Sequence, residues 1–206
     1  MKTDWAEENL QTIRTLMERS AVYRRALAPI MLLSGMLGVA AAIAGLLVQL
    51  NSFPEFLALW FSTATLATVG AFLIARRQAL KDKEVFWSPP TRRVAQSLLP
   101  PFLAGLFFGV FPAFMHAPPE AALLVALVWI LFYGCALHAA GFFMPRGIRV
   151  FGWLFIASGC VLFCAFMADL PQGDGTGYYL MGFFFGALHL AYGAYLYLTE
   201  RKYPVA

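Results

Sequence analysis

Charge is scarce in this chain. Asp, Glu, Lys and Arg make up 13% of its 206 residues, against about 25% in an ordinary soluble domain. Hydrophobic residues make up 61%, and the mean hydropathy is +0.70. That balance excludes an ordinary soluble enzyme, a disordered regulator and a free nucleic-acid-binding domain. Cysteine is scarce too. Cys135, Cys160 and Cys164 all fall in apolar stretches, so no disulfide framework is expected. Cys160 and Cys164 share a helix face with no further ligand near them in sequence, and they read as small packing residues. There is no P-loop, no dinucleotide fingerprint and no H-E-x-x-H pair, and so no motif for nucleotide chemistry or zinc hydrolysis. No Asp or Glu falls in the interior of an apolar block, which removes the carboxylates that pumps and intramembrane proteases use. Asp169 and Asp174 flank a glycine-rich loop, which turn chemistry explains more simply than a cation site.

What the chain has instead is apolar runs of membrane-spanning length, about 20 residues each. They cover roughly residues 26–49, 56–75, 94–115, 120–143, 150–168 and 178–199. The expected fold is all-α: a polytopic transmembrane bundle of six helices (26–199), an N-terminal amphipathic interfacial helix (1–25) and a polar tail (200–206). Asp4 with Glu7 resembles a capping box. After it Leu10, Ile13, Leu16, Met17 and Ala21 recur at helical spacing, opposite Arg14, Glu18 and Arg25, as a helix lying on a membrane surface does. No apolar core stands near the start, so no secretory leader is expected. Pro54-Glu55 suits the opening of the second span, and Pro119-Glu120 that of the fourth. Pro89-Pro90 is expected to stop any helix in the loop after the second span and to start the approach to the third span, and Pro100-Pro101 to kink the third span.

The basic residues set the orientation. Five of the 15 Lys and Arg precede the first span, six lie in the loop after the second, two in the loop after the fourth and two after the last. With six spans and both termini cytoplasmic, all of them fall on one side, as the positive-inside rule requires. One span more or fewer would scatter them. The pI of 9.1 therefore points to anionic headgroups and not to nucleic acid. Arg14, Arg19, Arg24 and Arg25 are the expected interfacial anchors. The candidate partners are the lipid bilayer with its anionic headgroups, a cytoplasmic protein meeting the basic face, and a second copy of the chain.

Helices in lipid pack through small residues. Gly105 and Gly109 on the third span, Gly134 and Gly141 on the fourth, and Gly182, Gly186 and Gly193 on the sixth mark the expected packing faces. His138 and His189 lie on those faces, with Tyr192 one turn beyond His189. An intramembrane histidine is a functional candidate by default. Haem ligation needs two imidazoles at matched depth. His138 sits roughly 8 Å from the cytoplasmic end of its span and His189 about 15 Å from its own, which counts against a shared iron. A proton path would recruit carboxylates that the spans lack. The remaining use is a neutral imidazole hydrogen-bonding across helices, to Tyr192, Ser158 or a backbone carbonyl. No metal and no cofactor are expected.

Two stretches carry a resemblance. Ile13-Arg14-Thr15-Leu16-Met17-Glu18-Arg19-Ser20 precedes the first span, and Leu188-His189-Leu190-Ala191-Tyr192-Gly193 lies in the last. The chain resembles a widespread group of small bacterial six-span membrane proteins that open with an I-R-x-L-M-E-R-S helix and close with an L-H-x-x-Y-G span. The resemblance implies a bacterial inner-membrane address and nothing catalytic. The expected role is a non-enzymatic sensor, scaffold or regulatory partner. The alternatives are a small transporter or channel using the His138/His189 faces, and a haem-binding membrane protein.

Overall fold

The computed structural model describes residues 26–168, 173 and 175–202. The expected interfacial helix over 1–25, with its arginine anchors, lies outside the described residues. Helices follow one another through short connections: α1 (Ala26–Val48), α2 (Phe53–Lys81), α3 (Pro89–Phe114), α4 (Ala121–Ala140) and α5 (Arg146–Met167). Then come α6 (Thr176–Met181), a π-helical stretch (Gly182–Ala187) and α7 (Leu188–Lys202), which run on without a break. Six helices are long and apolar enough to cross a membrane, the sixth being Thr176–Thr199. The chain is an all-α integral membrane bundle.

Local chemistry explains the helix ends. Ser52 caps α2 in a full capping box: the Glu55 amide donates to Ser52 Oγ at 3.4 Å, and the Ser52 amide donates to Glu55 Oε2 at 3.1 Å. Such a box satisfies two of the donors that a helix start leaves unpaired. α2 ends at Lys81, before Pro89-Pro90, and the pair opens the third span. It occupies the first turn of α3 behind Ser88, where no intrahelical amide donor is needed. α3 also runs as one continuous helix through Pro100, Pro101 and Pro112. α2 extends to Lys81, two turns beyond its apolar run. Gln49, Lys83 and His116 take up positive φ of 56°, 54° and 52° just past α1, α2 and α3. Five-residue back-bonds close each of these ends: Leu50 to Gly45, Glu84 to Ala79 and Ala117 to Pro112. The left-handed residue turns the chain so that orphan carbonyls find partners.

Two cores stack along the bundle. One gathers Phe53, Phe56 and Trp60 of α2 with Val125, Ala126, Tyr178 and Met181, at the end that carries Glu55. The other gathers Leu27, Met31, Ile130, Leu137, Ile148, Phe151, Phe155 and Phe184, toward the end that carries Arg146 and Arg149. Outside them the surface is apolar: Leu47, Phe107, Val150 and Val161 are all more than half exposed. A soluble monomer does not expose so continuous an apolar surface, whereas lipid tails cover it without penalty. Ser62, Thr63 and Thr65 on α2 donate to carbonyls of their own helix, which keeps those hydroxyls satisfied while facing lipid.

Candidate functional site

His189 is the one fully buried polar side chain among the described residues, 1% exposed. It stands on α7 immediately after the π-helical stretch, where the Leu188 amide donates to Phe183 O. Its Nδ1 lies 2.9 Å from Phe184 O. Its Nε2 lies 2.7 Å from the hydroxyl of Tyr133 on α4. A carbonyl only accepts, so Nδ1 carries the proton. The neutral ring then leaves Nε2 as an acceptor, and the Tyr133 hydroxyl donates to it. Around this pair stand the rings of Phe151 (centroids 5.3 Å), Phe155 (5.8 Å) and Phe185 (6.1 Å). Tyr133 packs on Phe155 and Phe185 as well. Ionising such a ring within lipid is costly. Both nitrogens are occupied, so an iron could reach Nε2 only by displacing Tyr133.

Tyr192, one turn on, turns away from this pair. Its ring stacks on Phe151 at 4.7 Å, and its hydroxyl sits over Gly147 at the start of α5. Ser158 is no partner of the buried histidine either. The cross-helix hydroxyl comes from Tyr133, which is not among the residues expected from the sequence. Its signal was available: α4 is strongly apolar, and Tyr133 is one of its few hydrogen-bonding side chains.

His138 is half-buried on α4. Its Nδ1 is buried with no hydrogen-bond partner. Its ring meets Phe142 (5.4 Å) and Trp153 (5.0 Å) edge-on, and Arg149 lies over the Phe142 ring at 5.2 Å. None of these rings touches His189. On α5, Trp153 is two residues from both Phe151 and Phe155, which places it on the opposite face. The structure therefore puts the two histidines on opposite sides of α5 and does not bring them together. Among the described residues no three or more His, Cys, Asp or Glu side chains gather as a metal site would require.

The glycines divide by what they meet. A Cβ on Gly134 would lie 2.8 Å from Ile156 N, and one on Gly141 2.7 Å from Arg149 N, so α4 and α5 touch backbone to backbone. On the sixth span Gly182 abuts Ala42, Gly186 abuts Val39 and Gly193 abuts Leu32, each leaving only 2.6–2.9 Å to the place a Cβ would take. Their partner helix is α1, whose own glycines were missed: Gly35 against Leu190, and Gly38 against the Phe185 carbonyl. Gly109 is tight against Trp129 at 2.6 Å, but Gly105 has 3.5 Å of room. The role of Gly105 is at its carbonyl, which accepts from Trp129 Nε1 at 2.8 Å and ties α3 to α4. No protein-family model, no curated protein and no solved structure matches this chain.

Proposed function

We propose that this is a non-enzymatic protein of a bacterial inner membrane, with both termini cytoplasmic, that acts as a sensor, scaffold or regulatory partner. The observation that carries the reading is the state of His189. The most deeply buried polar group spends both nitrogens on structural hydrogen bonds and sits among aromatic rings. It fixes the sixth span against α4 and leaves no lone pair for a ligand. The Lys and Arg of the connections, from Arg76 to Arg149, then form a broad basic face on which an acidic cytoplasmic protein has a complementary surface. Reporter fusions after Asn51, Ala117 and Gly173 are expected to read periplasmic, and fusions after Lys81 and Gly147 cytoplasmic. A single inverted reading breaks the orientation.

The transport reading retains one observation, the unpaired buried Nδ1 of His138. Ion flux in liposomes separates the two. Vesicles holding the purified protein are expected to leak protons and small cations no faster than empty ones. A flux that His138→Ala or His189→Ala abolishes, in a variant that still elutes as the folded protein, would remove the scaffold reading.

A further inference from the structure

The second half of α2 is open in a way its first half is not. Phe53, Phe56, Leu57 and Trp60 are buried, and after them only Ala79 is. Leu73, Arg76, Arg77, Leu80 and Lys81 line a shallow cavity of about 450 Å³. Their spacing puts them on one side of the helix. Depth follows from the rise per residue. About 20 residues of α2, counted from Phe53, cross a hydrocarbon core of about 30 Å. Leu73 then stands at its edge, and Arg76 and Arg77 stand one turn further, at headgroup level. The aromatic residues agree: Phe72 meets Phe86 edge-on at 4.9 Å, and Trp87 beside it is half exposed, as interfacial aromatics are. Two acidic residues follow the cations, Asp82, to which Gln78 donates at 3.0 Å, and Glu84.

We propose that this face of α2 is a binding site for an anionic glycerophospholipid, with its phosphate held by Arg76, Arg77 and Lys81 and its acyl chains lying along Leu73 and the apolar helix below. Guanidinium groups suit the phosphate because their paired N–H donors match two of its oxygens. The apolar members of the site select a lipid over a soluble anion. Leu73 and Leu80 are 56% and 68% exposed and flank the cations on the same face, where a free phosphate has no use for them. A zwitterionic lipid brings its own ammonium group to an already cationic site. The proposal rests on the bundle spanning a membrane, and not on the scaffold reading.

The test uses the full chain in nanodiscs of phosphatidylcholine with a minor share of phosphatidylglycerol. Lipid retained after extraction into detergent is read by native mass spectrometry. The wild type is expected to keep phosphatidylglycerol in preference to phosphatidylcholine. Each of Arg76→Gln, Arg77→Gln and Lys81→Gln is expected to weaken retention about fivefold. Leu73→Ser with Leu80→Ser is expected to weaken it several-fold with every cation in place. Arg92→Gln with Arg93→Gln, outside the site, is expected to change it less than twofold. Equal loss in the Arg92/Arg93 variant would show diffuse surface charge and overturn the proposal. So would displacement of the lipid by inorganic phosphate, or equal retention of phosphatidylcholine. The single substitutions lie on an exposed helix face, so they test the site without threatening the fold.

Discussion

Replacing Gly38 with valine is expected to separate α1 from the sixth span and to lower the stability of the bundle by about 3 kcal/mol, the upper part of the range for overpacked contacts. The reason is geometric. A Cβ at Gly38 would press into the Phe185 carbonyl oxygen, with Phe185 C at 2.6 Å and Gly186 N at 2.8 Å. These are backbone atoms of a helix and cannot rotate aside as a side chain would. They also belong to the π-helical stretch that sets up His189. Either α1 retreats or the π-helical backbone shifts, and both give up close contacts whose van der Waals attraction falls steeply with distance. Lipid offers α1 an equally apolar alternative, so close packing is what holds it in place.

The same substitution logic predicts where nothing is lost. Gly105→Ala has its nearest neighbour, Trp129 Cδ1, at 3.5 Å, an ordinary contact distance. The exchange keeps the carbonyl that Trp129 needs, and alanine is the better helix former. It is expected to cost nothing and to raise stability by up to about 1 kcal/mol. Unfolding in mixed micelles titrated with a denaturing detergent, followed by tryptophan fluorescence, measures both. If Gly38→Val unfolds with the wild type, the α1 contact is not what the geometry implies.

These two glycines also show what the sequence could and could not disclose. Span number was legible because hydropathy and the placement of Lys and Arg are read along the chain, without knowledge of which helix meets which. Partner choice is not written that way. Gly182, Gly186 and Gly193 announced a packing face, but nothing in their spacing named α1, so Gly35 and Gly38 did not stand out. Gly105 and Gly109 share one G-x-x-x-G pattern, yet only Gly109 is crowded, since the Trp129 side chain lies across the second and leaves space at the first. Pro89-Pro90 marked the start of the third span from the sequence, because the first helical turn has no use for the amide donor that proline lacks. The Gly182–Ala187 stretch gave no sign of its wider winding. His189 and Tyr192 both follow that stretch and both pack on Phe151, but only His189 reaches Tyr133, a pairing that depends on α4 and so is not written in the sixth span.

His189→Ala is expected to cost about 3–5 kcal/mol, the range for deleting a buried ring, and to be among the most damaging single changes in the bundle. Three losses combine. The ring leaves a space between Tyr133, Phe151, Phe155 and Phe185. The Tyr133 hydroxyl loses its acceptor. Phe184 O loses the imidazole donor at a depth where no water replaces it, and unsatisfied groups there cost about 1–3 kcal/mol. Tyr133→Phe isolates the cross-helix bond, since it keeps the ring and removes one hydroxyl. Hydrogen bonds between membrane helices contribute about 0.6 kcal/mol on average and up to about 2, so a loss near 1 kcal/mol is expected. His189→Phe completes a double-mutant cycle: in that background the Tyr133→Phe penalty should vanish, because the acceptor is already gone. If Tyr133→Phe costs the same with and without His189, the tyrosine acts through packing and the bond is incidental. Nitrogen-15 NMR of labelled histidine reads the same pair independently. It should show a ring protonated at Nδ1 and bare at Nε2, because Phe184 O accepts from the first and Tyr133 donates to the second. A ring protonated at Nε2 alone would contradict both hydrogen bonds, and with them the reading of His189 as the residue that locks the sixth span to α4.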